Sequence, residues 1–290
     1  MNGILLVDKP QDWTSFDVAA KLKGLCHTRR IGHSGTLDPM ATGLLVIFLG
    51  RATRAVPFAE NHTKRYIASL RPGVVTDTQD ITGHILESRS GSVSPAELEE
   101  ALASFRGEIE QIPPMYSAIQ VNGQRLYDIA RRGGEVERKP RPVTIHELKL
   151  LGQTEEGDYL LDVLCSKGTY VRTLCHDIGQ KLGCGACLSS LRRTEVGAFR
   201  VEQAHTMEEL IAAAESDTIE ELLLGVDTLF PGMAKMTVTA EQERKIRCGN
   251  AIEAEAEDGE VLIYSASGEL LMLGRAEGGV LYTIKSFFEV

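Results

Sequence analysis

The feature that most constrains the fold is the longest apolar run, Leu44–Leu49, which follows the glycine-rich segment GHSGTLDPMATG. A helix that spans a bilayer needs about 20 apolar residues, so this run is far too short to cross a membrane. It predicts an element buried in a globular core, entered through an irregular loop. With 290 residues, 43% of them hydrophobic, the chain is long enough for one large and one small domain.

The loop before this run presents one carboxylate, that of Asp38. Pro39 disfavours the α-helical region for the residue before it, so we expect Asp38 to be extended. The surrounding glycines permit unusual backbone angles or a close approach to another molecule. Taken alone, an Asp-Pro pair among glycines more often marks a turn than a catalytic site.

The charge distribution bears on possible partners. A net charge of −10 argues against a polyanionic partner, but residues 201–290 hold 18 acidic and only 6 basic residues, so residues 1–200 hold 23 and 25. Two basic clusters lie in that first part, at 27–30 (HTRR) and 131–141 (RRGGEVERKPR). Two clusters in one domain are compatible with contacts to phosphates.

Mixed α/β patterns fill the first 230 residues. Alternating apolar residues predict strands over 66–71 and 159–165, and Ser94-Pro95-Ala96-Glu97 predicts a helix start. Pro231-Gly232 is a plausible domain boundary, and we expect residues 1–231 to fold without residues 232–290. The latter suggest a hairpin and a closing strand, which would suit a small barrel.

Several other patterns need weighing. Gly-His-Ser-Gly would suggest a serine hydrolase using Ser34, but it does not match the G-x-S-x-G spacing. Cys184 and Cys187, with Cys175-His176 upstream, have partial zinc-ligand spacing, but a single C-x-x-C is weak and we do not expect a metal. If a strand resumes after Gly168, Tyr170 and Arg172 would share one face.

The targeting signals and cysteines bear on localisation. MNGILLVDKP has neither a basic leader nor a long apolar segment, so no secretory signal is predicted. Six cysteines without framework-like spacing favour reduced thiols in a cytoplasmic protein. We also expect no membrane association and a monomer.

Six segments together resemble the bacterial tRNA pseudouridine-55 synthases, the TruB family. GHSGTLDPMATGLL resembles the catalytic motif, GILLVDKPQDWTSFDV the N-terminal motif and KRYIASLRPGVVTDTQD the tyrosine-bearing strand. PPMYSAIQVNGQRLYDIARRG resembles the RNA-gripping loop, and CSKGTYVRTL and LSSLRRTEVGAF the remaining active-site motifs. The resemblance covers nearly the whole chain, and the motifs occur in the family's order.

The resemblance implies an α/β fold of the α+β kind. Residues 1–231 would form a pseudouridine-synthase domain on a mixed, mostly antiparallel sheet, with an RNA-gripping loop at about 120–142. Residues 232–290 would form a small PUA-like RNA-binding domain. The implied reaction is isomerisation of uridine 55 in the tRNA T-arm to pseudouridine on a flipped-out nucleotide, without cofactor or metal.

The resemblance also implies roles for particular residues. Asp38 would be the nucleophile, Arg172 its ion-pair partner, and Tyr66 a stacking residue and candidate for the proton step. The substrate-binding residues would be His33, Tyr170, Leu191, Asp80, Arg131 and Arg132. His33 would fill the space left by the flipped nucleotide, and Asp80 would contact the active-site network. Whether Asp38 attacks C1′ or C6 is left open.

Three positions depart from the family pattern. Asp12 replaces the usual glycine, which a left-handed turn would accommodate. Gln120 replaces a lysine and removes one possible phosphate contact, and Cys187 replaces a common histidine. The alternatives are a guide-RNA-dependent, dyskerin-type synthase and a non-catalytic tRNA-binding or folding module.

Overall fold

The structure is a computed structural model that describes residues 1–89, 93–121 and 123–288. Its architecture is mixed α/β, as the sequence predicts, with a nine-stranded sheet followed by a five-stranded one. Within these ranges, no helix combines the length and the apolar character that crossing a membrane requires.

The strands form the two larger sheets and two separate two-stranded sheets, β5 with β6 and β8 with β9. In chain order they are β1 (Gly3–Lys9), β2 (Ile31–His33), β3 (Thr42–Leu49), β4 (Lys64–Pro72), β5 (Val74–Thr76), β6 (Ile85–Ser88), β7 (Gly107–Gln111), β8 (Gln120–Val121), β9 (Gln124–Arg125), β10 (Arg141–Gln153), β11 (Tyr159–Cys165), β12 (Ala186–Val196), β13 (Phe199–Arg200), β14 (Ala234–Thr237), β15 (Ile252–Glu253), β16 (Gly259–Tyr264), β17 (Leu270–Glu277) and β18 (Val280–Ser286).

The helices connect and cover these strands. The α-helices are α1 (Ser15–Leu25), α2 (Val56–Glu60), α3 (Pro95–Ala103), α4 (Leu126–Ala130), α5 (Val171–Lys181), α6 (Met207–Glu215) and α7 (Ala240–Arg247). Four 3₁₀ segments join them in the described ranges, at Gly50–Ala55, Val201–Gln203, Ile219–Leu222 and Val226–Leu229. The predicted helix start at Ser94 is confirmed, because Ser94 and Glu97 form a capping box with Pro95 in the first turn.

The large sheet has the strand order β1-β3-β12-β4-β11-β10-β7, with β2 paired to β3 and β13 to β12. Its pairings are antiparallel except for β3 with β12, so the sheet is mixed and mostly antiparallel, as expected. The predicted strands at 66–71 and 159–165 lie within β4 and β11, which are neighbours.

Strand β3 contains the apolar run and is buried on both faces. Leu44, Val46 and Phe48 contribute to one hydrophobic cluster, whereas Leu45 and Ile47 contribute to another on the opposite face with helix α1. A strand covered on both faces needs no polar alternation, which explains the continuous apolar run. The loop that enters β3 is therefore attached to the centre of the protein.

The C-terminal sheet has the order β14-β16-β17-β18-β15, with the predicted hairpin formed by β16 and β17 and the predicted closing strand formed by β18. Its Leu262, Leu273 and Phe287 belong to the same hydrophobic cluster as Ile4 and Phe48 of the large sheet. Removing the C-terminal sheet would expose this shared cluster. That residues 1–231 fold without residues 232–290 stays a prediction, and the truncated protein would have to tolerate exposure of this cluster.

Candidate active site

The segment that carries Asp38, residues 34–41, is called the Asp38 loop below. Asp38 and Ala41 bracket a turn, in which the Ala41 amide donates to the Asp38 carbonyl at 3.1 Å and Pro39 occupies the second position. Gly35 has φ +90° and Gly43 has φ +98°, both in the left-handed region. A Cβ at Gly43 would also lie 2.3 Å from the Arg193 carbonyl oxygen, so close strand approach requires glycine there.

The N-terminal segment fixes this loop. The Lys9 ammonium is 0% exposed and donates to the carbonyls of Pro39 (3.3 Å), Pro10 (2.9 Å) and Trp13 (2.6 Å). The Asp12 amide also donates to Pro39, at 2.8 Å, and Asp12 has φ +67°, which confirms the left-handed turn expected there. Burial lowers the pKa of Lys9 to about 8, although Asp38 opposes the change.

A second anchor comes from the first residue of α1. The Ser15 hydroxyl donates to the Leu37 carbonyl at 3.2 Å and accepts from the Leu37 amide at 2.9 Å. Ser15 is 1% exposed, so this pair of hydrogen bonds is shielded from water. The residue before Asp38 is therefore held through both of its backbone polar groups.

Arg172 is the ion-pair partner of Asp38. Its Nε lies 2.9 Å from Oδ2 of Asp38 and its Nη2 lies 3.4 Å from Oδ1. The Arg172 side chain is 5% exposed, whereas that of Asp38 is 38% exposed. The Asp38 carboxylate is therefore partly exposed to solvent and is held in place by a buried guanidinium.

Arg172 is itself held by several acceptors. It donates to the carbonyls of Thr78 (2.9 Å) and Tyr116 (2.8 Å), and its Nη1 lies 3.5 Å from Oδ2 of Asp80. Asp80 is 4% exposed and accepts from the hydroxyls of Thr78 and Thr82. Asp80 therefore contacts the Arg172 guanidinium from the buried interior of the protein.

The local structure around Tyr170 differs from the expectation. The strand does not resume after Gly168; instead α5 begins at Val171 with Tyr170 as its N-terminal cap residue. The expectation that Tyr170 and Arg172 share a strand face was therefore wrong. Apolar residues recur at helical spacing, which explains the helix. These residues are Val171, Leu174, Cys175 and Ile178.

Gln111 completes the start of this helix. Its buried side chain accepts from the Tyr170 amide at 3.0 Å and donates to the Tyr170 carbonyl at 3.2 Å. A side-chain amide that bonds both backbone groups of the residue before a helix fixes the direction of that residue. Burial raises the pKa of the half-buried Tyr170 phenol.

Tyr66 lies on β4 and is 8% exposed. It belongs to the same hydrophobic cluster as Leu37 and Met40 of the Asp38 loop and Leu191 of β12. Burial raises the pKa of the Tyr66 phenol. The predicted site residues Tyr66 and Leu191 therefore pack in one cluster with the two residues that flank Asp38 and Pro39.

His33 occupies the last position of β2, at the start of the Asp38 loop. The imidazole is half-buried, and burial together with the Arg193 guanidinium lowers its pKa. A neutral ring is thus favoured at neutral pH.

Arg131 and Arg132 lie elsewhere, in the segment 120–142, called the basic loop below. This segment contains the hairpin β8–β9 and helix α4, and both arginines are exposed. The Arg131 guanidinium lies 5.5 Å from the centre of the Tyr127 ring, and Arg132 Nε donates to the Asp128 carbonyl at 3.0 Å. Their contacts keep the charges available to solvent.

Four buried polar residues near the site have no role predicted from the sequence: Lys9, Ser15, Gln111 and Arg193. All lie within the quoted motif segments or beside them, and each is 1% exposed or less. Two features of the sequence could have indicated such residues: a lysine at the end of an apolar strand, and arginines within a strand pattern. A charged side chain that is buried needs polar partners, so both features point to specific contacts. The identity of those partners depends on the tertiary structure.

The structure does not support a serine hydrolase that uses Ser34, and the cysteines do not form a zinc site among the described residues. Ser34 is 0% exposed, and its hydroxyl has no hydrogen-bond partner among the described residues, so no base activates it. All six cysteines are free thiols. Over the described ranges, no group of three or more His, Cys, Asp or Glu side chains is arranged to hold a metal ion.

Family models and individual relatives match most of the chain. A family model for the N-terminal domain of TruB family pseudouridylate synthases matches residues 23–171, and one for the C-terminal domain of tRNA pseudouridylate synthase B matches residues 172–230. The chain is 43% identical over 282 residues to tRNA pseudouridine synthase B of Syntrophomonas wolfei, covering 95% of this chain and 94% of that protein.

Two further similarities extend the comparison. The protein of the same name from Syntrophotalea carbinolica is 46% identical over 250 residues, or 86% of this chain and 81% of that one. A crystal structure of a Cbf5-Nop10-Gar1 complex contains a chain with the same fold. It is 26% identical with a TM-score of 0.74, and the match covers 99% of this chain and 85% of that one.

Proposed function

The chain belongs to the TruB family of pseudouridylate synthases, and from this premise we propose that it converts uridine 55 in the T-arm of tRNA to pseudouridine. The observation that carries the proposal is the Asp38–Arg172 pair, in which a partly exposed carboxylate is fixed on a buried guanidinium. Arg172 stabilises negative charge on Asp38 and fixes its direction, so the carboxylate is available as a nucleophile.

The chemistry is an isomerisation. The N1–C1′ bond of the uridine breaks, the uracil turns, and C5 forms a new bond to C1′. The C5 proton leaves to a base and N1 gains a proton, so atoms balance without an added reactant. Asp38 would attack C1′ of the ribose, displacing N1, and its bond to C1′ would break when C5 attacks that carbon. Alternatively it would attack C6 of the uracil, and its bond to C6 would break as the C5 proton leaves.

The residues around Asp38 have separate tasks in this proposal. Tyr66 stacks on the base and is the candidate for removing the C5 proton. Tyr170 and Leu191 line the base pocket, and His33 takes the place of the extruded nucleotide. Asp80 acts through Arg172, which it contacts from the buried side.

Binding of the tRNA is assigned to surfaces outside this pocket. The basic loop, with Arg131 and Arg132, would contact phosphates, and residues 232–290 would form a PUA-like RNA-binding domain. That small domain lies in the acidic part of the chain, so its contact would need a local basic face. Arg244, Lys245 and Arg247 on α7 are candidates for that face, and of these Arg247 already pairs with Glu243 and Glu269.

The test is release of tritium from C5 of uridine in an unmodified tRNA transcript incubated with the purified protein alone. We expect one equivalent of tritium per tRNA. A transcript with cytidine at position 55 is the matched control and should release none. Release from both transcripts would contradict the assignment to position 55, and release from neither would contradict the proposed function.

The same assay separates the alternatives. A guide-RNA-dependent synthase would be inactive without added RNA and protein, and a non-catalytic binding module would retain tRNA without releasing tritium. The chain is 43% and 46% identical to proteins named tRNA pseudouridine synthase B, against 26% to the chain of the Cbf5 complex. These identities support a tRNA pseudouridine synthase over the two alternatives.

A further inference from the structure

Arg193 on β12 is a buried cation that forms no ion pair with any carboxylate of the described residues. It is 1% exposed, and by volume it is the largest fully buried residue among those described. Its sequence neighbour Arg192 behaves differently, because it is 43% exposed and pairs with Asp8 at 2.7 Å. A buried charge is costly unless hydrogen bonds satisfy it, so its contacts indicate its role.

Those contacts are on either side of Asp38 in the chain. The Arg193 Nε donates to the Leu44 carbonyl at 2.7 Å, and Nη2 donates to the Gly35 carbonyl at 3.1 Å. One guanidinium therefore connects the start of the Asp38 loop with the strand that the loop enters. Its planar fork fixes both distances and directions, which a single ammonium point cannot do.

The same side chain adjoins the candidate base. Arg193 and Tyr66 are cross-strand partners in the pairing of β12 with β4, and both are buried. Burial raises the pKa of Tyr66, and Arg193 opposes this rise. The other charged or titratable groups that face Tyr66 are Cys165 from β11 and Asp38, and both raise its pKa.

We propose that Arg193 is a positioning residue of this active site, which holds the Asp38 loop and the Tyr66 hydroxyl in fixed relation to each other. The proposal rests on the function proposed above and adds to it. Because Arg193 acts through other residues, its removal should change turnover and the pH dependence of turnover more than the affinity for tRNA.

The experiment compares Arg193→Lys and Arg193→Gln with the control Arg192→Gln, whose side chain pairs with Asp8 instead. For each protein, kcat and KM for tritium release are measured from pH 6 to 11, a range that includes the ordinary pKa of a tyrosine, about 10, together with thermal unfolding and tRNA affinity. We expect both Arg193 variants to lose kcat by at least about tenfold, since misplacing reacting groups is costly. Their KM should change by less than about threefold, because phosphate contacts elsewhere dominate binding.

The pH profile separates positioning from general support. With Arg193→Gln, the rising limb of log kcat should move to higher pH, because the group that lowers the pKa of Tyr66 is gone. Arg193→Lys should restore part of that shift and less of kcat. Arg192→Gln should keep the wild-type profile.

Three outcomes would overturn the proposal. One is a folded Arg193→Lys protein with wild-type kcat and pH profile, and another is an equal loss in Arg192→Gln. The third is loss of the fold in both Arg193 variants, which would make the guanidinium a structural requirement. If the wild-type protein itself releases no tritium, the proposed function fails instead, so the two failures are distinguishable.

Discussion

The Asp38 loop and the basic loop are held in opposite ways. Side chains from distant segments, Lys9, Ser15 and Arg193, bond the backbone of the Asp38 loop or its flanks, and all are buried. The basic loop is held largely by its own neighbours, as in the bond between Arg125 and the Tyr127 hydroxyl at 2.8 Å. A longer contact joins Arg138 to the Pro113 carbonyl at 3.2 Å.

This difference agrees with what each loop is proposed to do. Chemistry needs reacting groups fixed to within a fraction of an ångström, and buried hydrogen bonds supply that rigidity. Contacts with phosphates are sequence-independent and act over several ångströms, so exposed arginines on a sparsely anchored loop are sufficient. The two loops should therefore respond differently to substitution, one in turnover and the other in salt-dependent affinity.

The largest effect is expected for Asp38→Asn. Loss of the proposed nucleophile should lower tritium release by at least about 10⁴-fold, while tRNA affinity stays within a few-fold because phosphate contacts dominate binding. Single-turnover release and filter binding measure the two quantities. Release above a no-enzyme control at a rate near wild type would contradict the role of Asp38 and remove the contrast between the loops.

A smaller effect is expected when an anchor is removed. Lys9→Met leaves three carbonyls without their donor, which should cost roughly 3 kcal/mol of folding free energy and lower turnover by about tenfold or more. Thermal unfolding and tritium release are the measurements. The exposed Lys21 on α1 provides the control, since Lys21→Met should change neither.

How much of the structure can be predicted from the sequence depends on how far apart in the chain the interacting residues are. Alternation placed β4 and β11, and the capping box placed the start of α3, because both patterns are local. The helix at Val171 was missed although its apolar spacing was visible, because the strand pattern before it was extended too far. Local patterns are decided within a few residues, so they can be read from sequence.

The candidate site shows what could not be predicted from the sequence. Asp38, Tyr66 and Arg172 came from the family resemblance, and the structure places Arg172 on Asp38 across 134 residues. The anchors Lys9, Ser15 and Gln111 could not be assigned from the sequence, because their partners are backbone carbonyls and amides. Every residue has such groups, so only the tertiary fold selects which ones are near.

The basic loop should respond in affinity. Replacing Arg131, Arg132, Arg138, Lys139 and Arg141 by Gln should weaken tRNA binding roughly tenfold at moderate salt and lower the log–log salt slope by about one unit at most per lost contact. The value of kcat at saturating tRNA should remain near wild type. Filter-binding titrations over a salt series give the slope. An unchanged slope would mean that this cluster is a solvated surface without phosphate contacts.

The smallest effect is a gain in the same loop. Gln120 is exposed on β8, pairs with Arg125 across the hairpin, and stands where the family pattern has lysine. Gln120→Lys adds one cation beside an existing one, so the salt slope should steepen by up to about one unit and affinity should rise a few-fold. The control is Gln153→Lys at the exposed end of β10, which adds the same charge outside the basic loop. If both variants gain equally, net charge explains the effect; if only Gln120→Lys gains, the hairpin lies against the RNA backbone. Neither variant should change kcat, because neither side chain reaches the buried anchors of the Asp38 loop.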